Sequence, residues 1–317
     1  MILLITNKSD ITTDFVVREL KHRHIDFFRL NTEDIGSNLD VVLDFSAGRY
    51  SLSDRAKART ISLSEVSAIY FRRPRLPEFA KLNVSTDERI YLQKEAFYLL
   101  EGIYTLLKDR KWISPVNAIR KAENKLYQLQ LAKTVGFRVP DTLVTNVPGS
   151  LSAFSIHRNC IMKPIKSGYM GPPEKASRMI FTHRLPKEVD LTRVQPMPVL
   201  VQNEIIKKFD VRVTVVGRHV FPAAILSQSC AETSVDWRKG NHAELVYKKI
   251  QLPAYVAQAC VNLTQRLGLK FSAIDLVCDA DDGYTFLEIN PNGQWAWIQN
   301  RLGYNISGAL VDSLVED

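Results

Sequence analysis

Only four cysteines occur in 317 residues, and Cys160, Cys230, Cys260 and Cys278 stand far apart with no C-x-x-C. That spacing argues against a zinc site or a disulfide framework and points to a reduced, cytoplasmic setting. Glycine is also scarce, at 14 residues, so a fold built on repeated glycine-rich loops is not expected. No apolar run approaches the roughly 18 residues of a membrane span. The opening Met1-Ile-Leu-Leu-Ile-Thr lacks the basic lead and the length of a secretory signal and reads as a strand. The fingerprints of dinucleotide folds (G-x-G-x-x-G), P-loop NTPases (G-x-x-x-x-G-K-[ST]), zinc proteases (H-E-x-x-H) and serine hydrolases (G-x-S-x-G) are all missing. The six histidines are scattered and read as surface residues. No repeat or low-complexity stretch is present.

What remains is an ordinary globular composition, 45% hydrophobic and 24% charged, which excludes a disordered chain. The length suggests about two domains at roughly 150 residues each. One oddity stands out: 42 Lys+Arg against 34 Asp+Glu, a net charge of +8. It fits an anionic partner, whether nucleic acid, membrane surface, nucleotide or acidic peptide.

Short apolar runs at 2–5, 25–28, 41–45 and 67–73 read as strands alternating with a helix marked by Phe15, Val16 and Leu20, an α/β layer. A helix is predicted over 86–110, with Ile90, Phe97, Leu100, Ile103 and Leu107 at helical spacing. Ser114-Pro115 ends it, and a first domain boundary is placed there. A helix over 117–135 follows, closed by Gly136. Strands are expected at 160–165, 199–206, 210–216 and 219–226, the last two joined at Gly217-Arg218. A helix at 254–267 precedes a hairpin about 279–283, and another at 306–315 finishes the chain.

That hairpin carries the sharpest feature. If its strands pair symmetrically about Asp281-Asp282, Asp275 lies opposite Glu288, and Glu288 and Asn290 share a face with Phe286. A bulge at Gly283 would shift the register by one. Two facing carboxylates repel and are desolvated, so one protonates, a cation sits between them, or a nearby Lys or Arg satisfies them. Oxygen-only ligands suit Mg²⁺. Lys163 lies within an apolar strand and needs an anion if buried. Asp210, Arg212 and Thr214 share one face of their strand, which turns to a cleft or to solvent. Magnesium, Lys and Arg together are equipment for phosphoryl transfer.

The order Asn124-Lys125-Leu, Met162-Lys163-Pro, Gln202-Asn-Glu204-Ile-Ile, Asp210-Val-Arg212, Asp275 and Glu288-Ile-Asn290-Pro-Asn-Gly resembles an ATP-grasp ligase. Tyr70-Phe-Arg-Arg-Pro74, Val235-Asp-Trp-Arg238 and Asn290-Pro-Asn-Gly-Gln-Trp-Ala-Trp297 narrow the resemblance to the microviridin-type graspetide macrocyclases. It implies an α/β and α+β fold: a pre-ATP-grasp domain over 1–114, then ATP-grasp lobes over 115–198 and 199–317. It also implies that Lys125 and Lys163 touch ATP phosphates and that Glu204, Ile205 and Ile206 form the adenine hinge. Asp275, Glu288 and Asn290 would hold Mg²⁺. Arg212 and Arg238 would face the γ-phosphate and the substrate carboxylate, with Asp210 orienting Arg212 or acting near the nucleophile. Arg72 and Arg73 are candidates for the substrate, though at most one reaches the cleft, and an exposed solvating pair is the alternative. Trp295 and Trp297 share a face and pack around the metal loop or offer a stacking platform.

The implied reaction activates Asp or Glu side chains of a ribosomally made precursor peptide, with a leader and an acidic core, and closes them on Ser, Thr or Lys. A ligase adding a free amino acid to a peptide or protein C-terminus shares every ATP residue and is the alternative. The resemblance also implies a homodimer. A nucleic-acid-binding protein would need a basic stripe with interleaved aromatics; only 71–75 and 108–112 approach one, so neither nucleic acid nor membrane is expected as a partner.

Overall fold

The opening apolar run forms β1 (Ile2–Thr6), with all five residues buried. Parallel neighbours on both sides leave such a strand no solvated edge, and helices cover its faces. After α1 (Ile11–His22) come β2 (Phe27–Asn31), β3 (Leu39–Asp44), β4 (Arg49–Asp54), β5 (Arg59–Ser62) and β6 (Ala68–Phe71). Then follow α2 (Thr86–Leu106), β7 (Lys111–Ile113) and α3 (Val116–Ala122). A parallel sheet takes the order β2-β1-β6-β7, and β3-β4-β5 form an antiparallel sheet beside it in sequence. The computed structural model describes residues 1–79, 82–166, 168–170, 178–229, 233–239 and 245–316. The chain divides into one unit of residues 1–119, 268–271 and 294–317 and a second of residues 120–267 and 272–293.

Two helix expectations need correction. Ser85 and Glu88 cap α2 reciprocally, but the helix stops at Leu106 rather than 110, and Trp112 enters the core from β7. Leu100, Ile103 and Leu107 are buried, while Ile90 and Phe97 are 46% and 38% exposed. The helix expected over 117–135 is two: α3 ends at Ala122 and α4 spans Lys125–Thr134. Asn124 breaks it by accepting hydrogen bonds from the amides of Leu126 and Tyr127, both 3.1 Å, which makes it an N-cap.

The second unit continues with β8 (Thr142–Thr145), α5 (Pro148–Ser155), β9 (Cys160–Lys163), β10 (Tyr169–Met170), β11 (Arg178–Met179), β12 (His183–Arg184) and β13 (Val199–Asn203). Next come β14 (Lys207–Val216), β15 (His219–Ile225), β16 (Tyr247–Lys249), α6 (Ala254–Arg266), β17 (Phe271–Asp279) and β18 (Tyr284–Asn290). Two sheets result, ordered β12-β9-β13-β8 and β16-β15-β14-β17-β18. Leu151, Cys160, Val194 and Val201 form a core against the first. Gly217 turns β14 into β15 with φ +57°, a conformation glycine adopts without steric cost.

The chain closes with α7 (Ala296–Leu302) and α8 (Ile306–Val315), both belonging to the first unit. Trp295 is fully buried at the start of α7, with its ring edge-on to Phe15 at 6.0 Å. Trp297 lies in the first turn of that helix, so the two tryptophans do not share a face as they would on a strand.

Candidate active site

The site of the second unit is built on β14, β17 and β18. Glu288 pairs opposite Asp275, as symmetric pairing requires, but the route differs. Nearer the turn the pairs are Leu276 with Phe286 and Cys278 with Tyr284, and Leu287 is the extra residue that restores the register. A bulge breaks the strict alternation of side chains. Phe286 is accordingly fully buried against Phe137, while Leu287, Glu288 and Asn290 are half-buried. The expected sharing of a face by Phe286 and Glu288 does not hold.

Cations surround the two carboxylates. Arg212 Nε on β14 lies 3.1 Å from Asp275 Oδ1 on β17, and the guanidinium sits over the Trp237 ring at 5.7 Å. Arg238 grips Asp236 with two hydrogen bonds of 2.9 Å and donates from Nη1 to Glu288 Oε1 at 3.4 Å. Lys125, at the first turn of α4, donates to the Pro164 carbonyl at 3.0 Å and stands 3.6 Å from Glu288 Oε2. Lys163 ends β9, paired opposite Leu200.

The charges respond to this crowding. Burial works to raise the Glu288 carboxyl, but Arg238, Lys125, Lys163 and Arg212 outweigh it and hold it below the usual range. Asp275 goes the other way: burial raises it, Arg212 pulls against that, and the Glu288 charge adds to the rise. Burial draws the Lys163 ammonium down to about 8, with Glu288 opposing and Lys125 and Arg238 reinforcing. Arg238 is held above its ordinary value because Asp236 and Glu288 overcome its burial.

Among the described residues, no group of three or more His, Cys, Asp or Glu gathers as a metal cluster. Asp275, Glu288 and Asn290 nonetheless make an oxygen-only donor set. Among the described residues Asp275 Oδ1 is buried without a hydrogen-bond partner, as a cation ligand would be, and these features fit Mg²⁺. Asn290 Oδ1 accepts from the Asn292 amide at 2.9 Å, which folds the loop back on its own strand.

A RimK-like ATP-grasp domain model matches residues 122–314, and an MvdD pre-ATP grasp domain model matches residues 1–120. The chain belongs to the RimK-like ATP-grasp family. Among solved structures, this ligase is similar to the macrocyclase MdnC bound with precursor peptide MdnA from Microcystis aeruginosa MRC. They share 25% identity at a TM-score of 0.86, covering 100% of this chain and 99% of that one. It is also similar to a Chryseobacterium gregarium RiPP-associated ATP-grasp ligase in complex with ADP and a leader and core peptide. There the identity is 25% and the TM-score 0.89, with coverage of 99% and 96%. A third is the macrocyclase MdnB from Microcystis aeruginosa MRC, at 27% identity and a TM-score of 0.81, covering 100% and 99%. No curated protein sequence matches.

The remaining sequence-derived residues of the ligase fall in three places. Asp210 is buried, but Lys207 holds it at 2.7 and 2.8 Å and Ser227 at 2.5 Å. Burial raises the Asp210 carboxyl, and these partners oppose the rise. The strand face carrying Asp210, Arg212 and Thr214 is wholly buried and does not turn to solvent. Glu204, just after β13, receives a bidentate pair from Arg184 at 2.7–3.0 Å, and its amide donates to the Asn159 carbonyl at 2.7 Å. Ile205 is half-buried and Ile206 is 84% exposed.

The two arginines of the first unit separate. Arg72 is 1% exposed, 3.0 Å from Asp10, and donates to Gln294 at 2.9 Å. Arg73 is exposed, with φ +46°. The loop after Lys163 falls largely on residues 167 and 171–177, outside the described residues.

Sequence reasoning did not single out three residues that organise the site. Asp236 sits inside the Val235-Asp-Trp-Arg238 motif and fixes Arg238, so the motif itself was a signal for it. Lys207 is three positions before Asp210, a strand spacing that gives no hint of contact. Gln128 of α4 donates to the Ile289 carbonyl at 2.8 Å and accepts from its amide at 3.1 Å, acting as a side-chain partner for the edge of β18. Nothing in the helical pattern marks it.

Proposed function

We propose that this ligase activates Asp or Glu side chains of a ribosomally made precursor peptide with ATP and closes them on Ser, Thr or Lys of the same peptide. The observation that carries the reading is the gathering of Arg212, Arg238 and Lys125 about Asp275 and Glu288. The family supplies the ATP chemistry, and the full-length likeness to macrocyclases supports the peptide substrate.

Asp275, Glu288 and Asn290 would hold Mg²⁺, which when bound offsets charge on the transferred phosphoryl group. Lys125 and Lys163 would receive the ATP phosphates, and Glu204 to Ile206 would seat the adenine. Arg212 and Arg238 would line up the γ-phosphate and the peptide carboxylate, a placement that lowers the barrier by orientation and by fixed positive charge. The carboxylate oxygen attacks the γ-phosphorus and ADP leaves, giving an acylphosphate. A hydroxyl or amine then attacks the acyl carbon, loses its proton and expels phosphate. Each crosslink costs the peptide one water. Asp210 would orient Arg212 or act near that nucleophile, and Arg73, the exposed residue of its pair, would meet the peptide.

A cytoplasmic homodimer completes the proposal, and light scattering of the purified protein tests its oligomeric state. The ligase adding a free amino acid is disfavoured by the match of an MvdD-type domain at residues 1–120. The test is incubation of the enzyme with a candidate precursor peptide carrying a leader and an acidic core, ATP and Mg²⁺. Loss of one water per crosslink supports crosslinking, and gain of an amino-acid residue supports the alternative.

A further inference from the structure

Lys207 lies outside every motif used above, yet it is among the most buried cations of the second unit, with its side chain and that of Asp210 each 6% exposed. Its ammonium donates to both Asp210 oxygens and reaches the Val235 carbonyl at 3.4 Å. Val235 is the residue before Asp236, Trp237 and Arg238. The same carboxylate accepts from Ser227, whose carbonyl takes the Thr233 hydroxyl at 2.6 Å. Gln228 then donates to both Ser227 Oγ and the Ser234 carbonyl, at 3.1 Å each. The segment from Thr233 to Val235 thus hangs from the Lys207–Asp210 pair through three hydrogen bonds, to Lys207, Ser227 and Gln228. Beyond it, Asp236 accepts from the Thr182 amide at 3.3 Å and aims Arg238 at Glu288, while Trp237 lies under Arg212.

We propose that Lys207 is a positioning residue: its bond to the Val235 carbonyl and its pairing with Asp210 set the 233–238 segment so that Arg238 and Trp237 meet Glu288 and Arg212. The inference rests on the active-site reading above. A buried ammonium that only neutralised Asp210 would not need the backbone of the segment carrying the motif. One that reaches it couples the start of β14 to two arginines of the site.

Two measurements test this on the full-length protein. Hydrogen exchange of Lys207→Met should show faster exchange of the amides at 233–239, with β1 and β6 of the first unit unchanged. A double-mutant cycle with Arg238→Ala, read as Mg·AMPPNP affinity, should be non-additive. Lys207→Met alone weakens binding about tenfold, the worth of one charge-assisted hydrogen bond. On the Arg238→Ala background it changes affinity less than twofold. If Lys207→Met does not fold, Lys207→Gln with Asp210→Asn removes both charges, keeps hydrogen-bonding groups and runs the same cycle. Unchanged exchange at 233–239, or losses that multiply across the cycle, overturns the proposal. Absence of Mg·AMPPNP binding by the wild type would instead strike the active-site reading, and the exchange result would then decide the role of Lys207 by itself.

Discussion

Arg212 Nε and Asp275 Oδ1 face each other at 3.1 Å across neighbouring strands β14 and β17, and neither atom has a hydrogen-bond partner among the described residues. Both side chains are nearly buried, so each depends on the other for charge compensation while keeping unused hydrogen-bonding capacity. That is a poor way to stabilise a fold, and it suits the proposed roles of Arg212 toward phosphate and of Asp275 as an oxygen ligand.

Asp275→Asn keeps the shape and removes the charge. It is expected to lower ATP turnover by about 10²–10³-fold, the usual loss when one electrostatic stabiliser of a transition state is removed. Glu288→Gln should behave likewise. Circular dichroism should show both variants folded, and turnover within a few-fold of wild type in both would remove the hairpin from the site.

Lys163 gives a pH signature. Its folded value of about 8 lies below the ordinary 10.5, so the free enzyme loses this charge as pH rises through 8. Phosphate needs the charged form, so nucleotide binding above pH 8 should take up a proton and weaken by up to about tenfold per pH unit. Calorimetry in buffers of different ionisation enthalpy reads this uptake, and Lys163→Met should abolish it. For folding the sign is opposite. Burying the charged ammonium costs stability below pH 8, and the cost is relieved between about 8 and 10.5.

Gly293 is pressed against β17: a Cβ added there would lie 2.2 Å from the Ala273 Cβ. Gly293→Ala should therefore destabilise by about 1–3 kcal/mol through overpacking. Ala273→Gly added to it should recover most of that loss, because the clash is between those two methyl groups. Urea denaturation of the two variants checks both statements.

Arg72 and Arg73 adjoin in sequence and should differ in every assay. Arg72→Met strands Asp10 in the interior and should cost about 3–5 kcal/mol of stability. Arg73→Ala should cost less stability than Arg72→Met, because the buried Arg72–Asp10 pair stays intact, and should weaken peptide binding. Thermal melts and peptide KM values separate the two.

Much of this was legible in the sequence for a physical reason. Strands with two-sided patterning announce themselves, and the carboxylates of a short hairpin have few registers open to them. Asp275 therefore came out opposite Glu288 even though a bulge at Leu287, not a symmetric turn, brings it there. Asn124 ended one helix and started another because an Asn side chain can cap, a competition that apolar periodicity does not register. Contacts made by buried polar side chains were hidden. The Lys207–Asp210 pair and the Gln128 clamp on Ile289 depend on how strands and helices dock, and single-residue chemistry carries no trace of that. Trp295 and Trp297 looked like strand neighbours because nothing local distinguishes a seven-residue helix following a turn.

The most direct test is mass spectrometry of a candidate precursor peptide, with a leader and an acidic core, after incubation with the ligase, ATP and Mg²⁺. The account requires ATP-dependent loss of one water per crosslink, with tandem fragmentation showing Asp or Glu side chains joined to Ser, Thr or Lys. A peptide whose mass is unchanged while ATP is consumed, or one that gains an amino-acid residue, would contradict it.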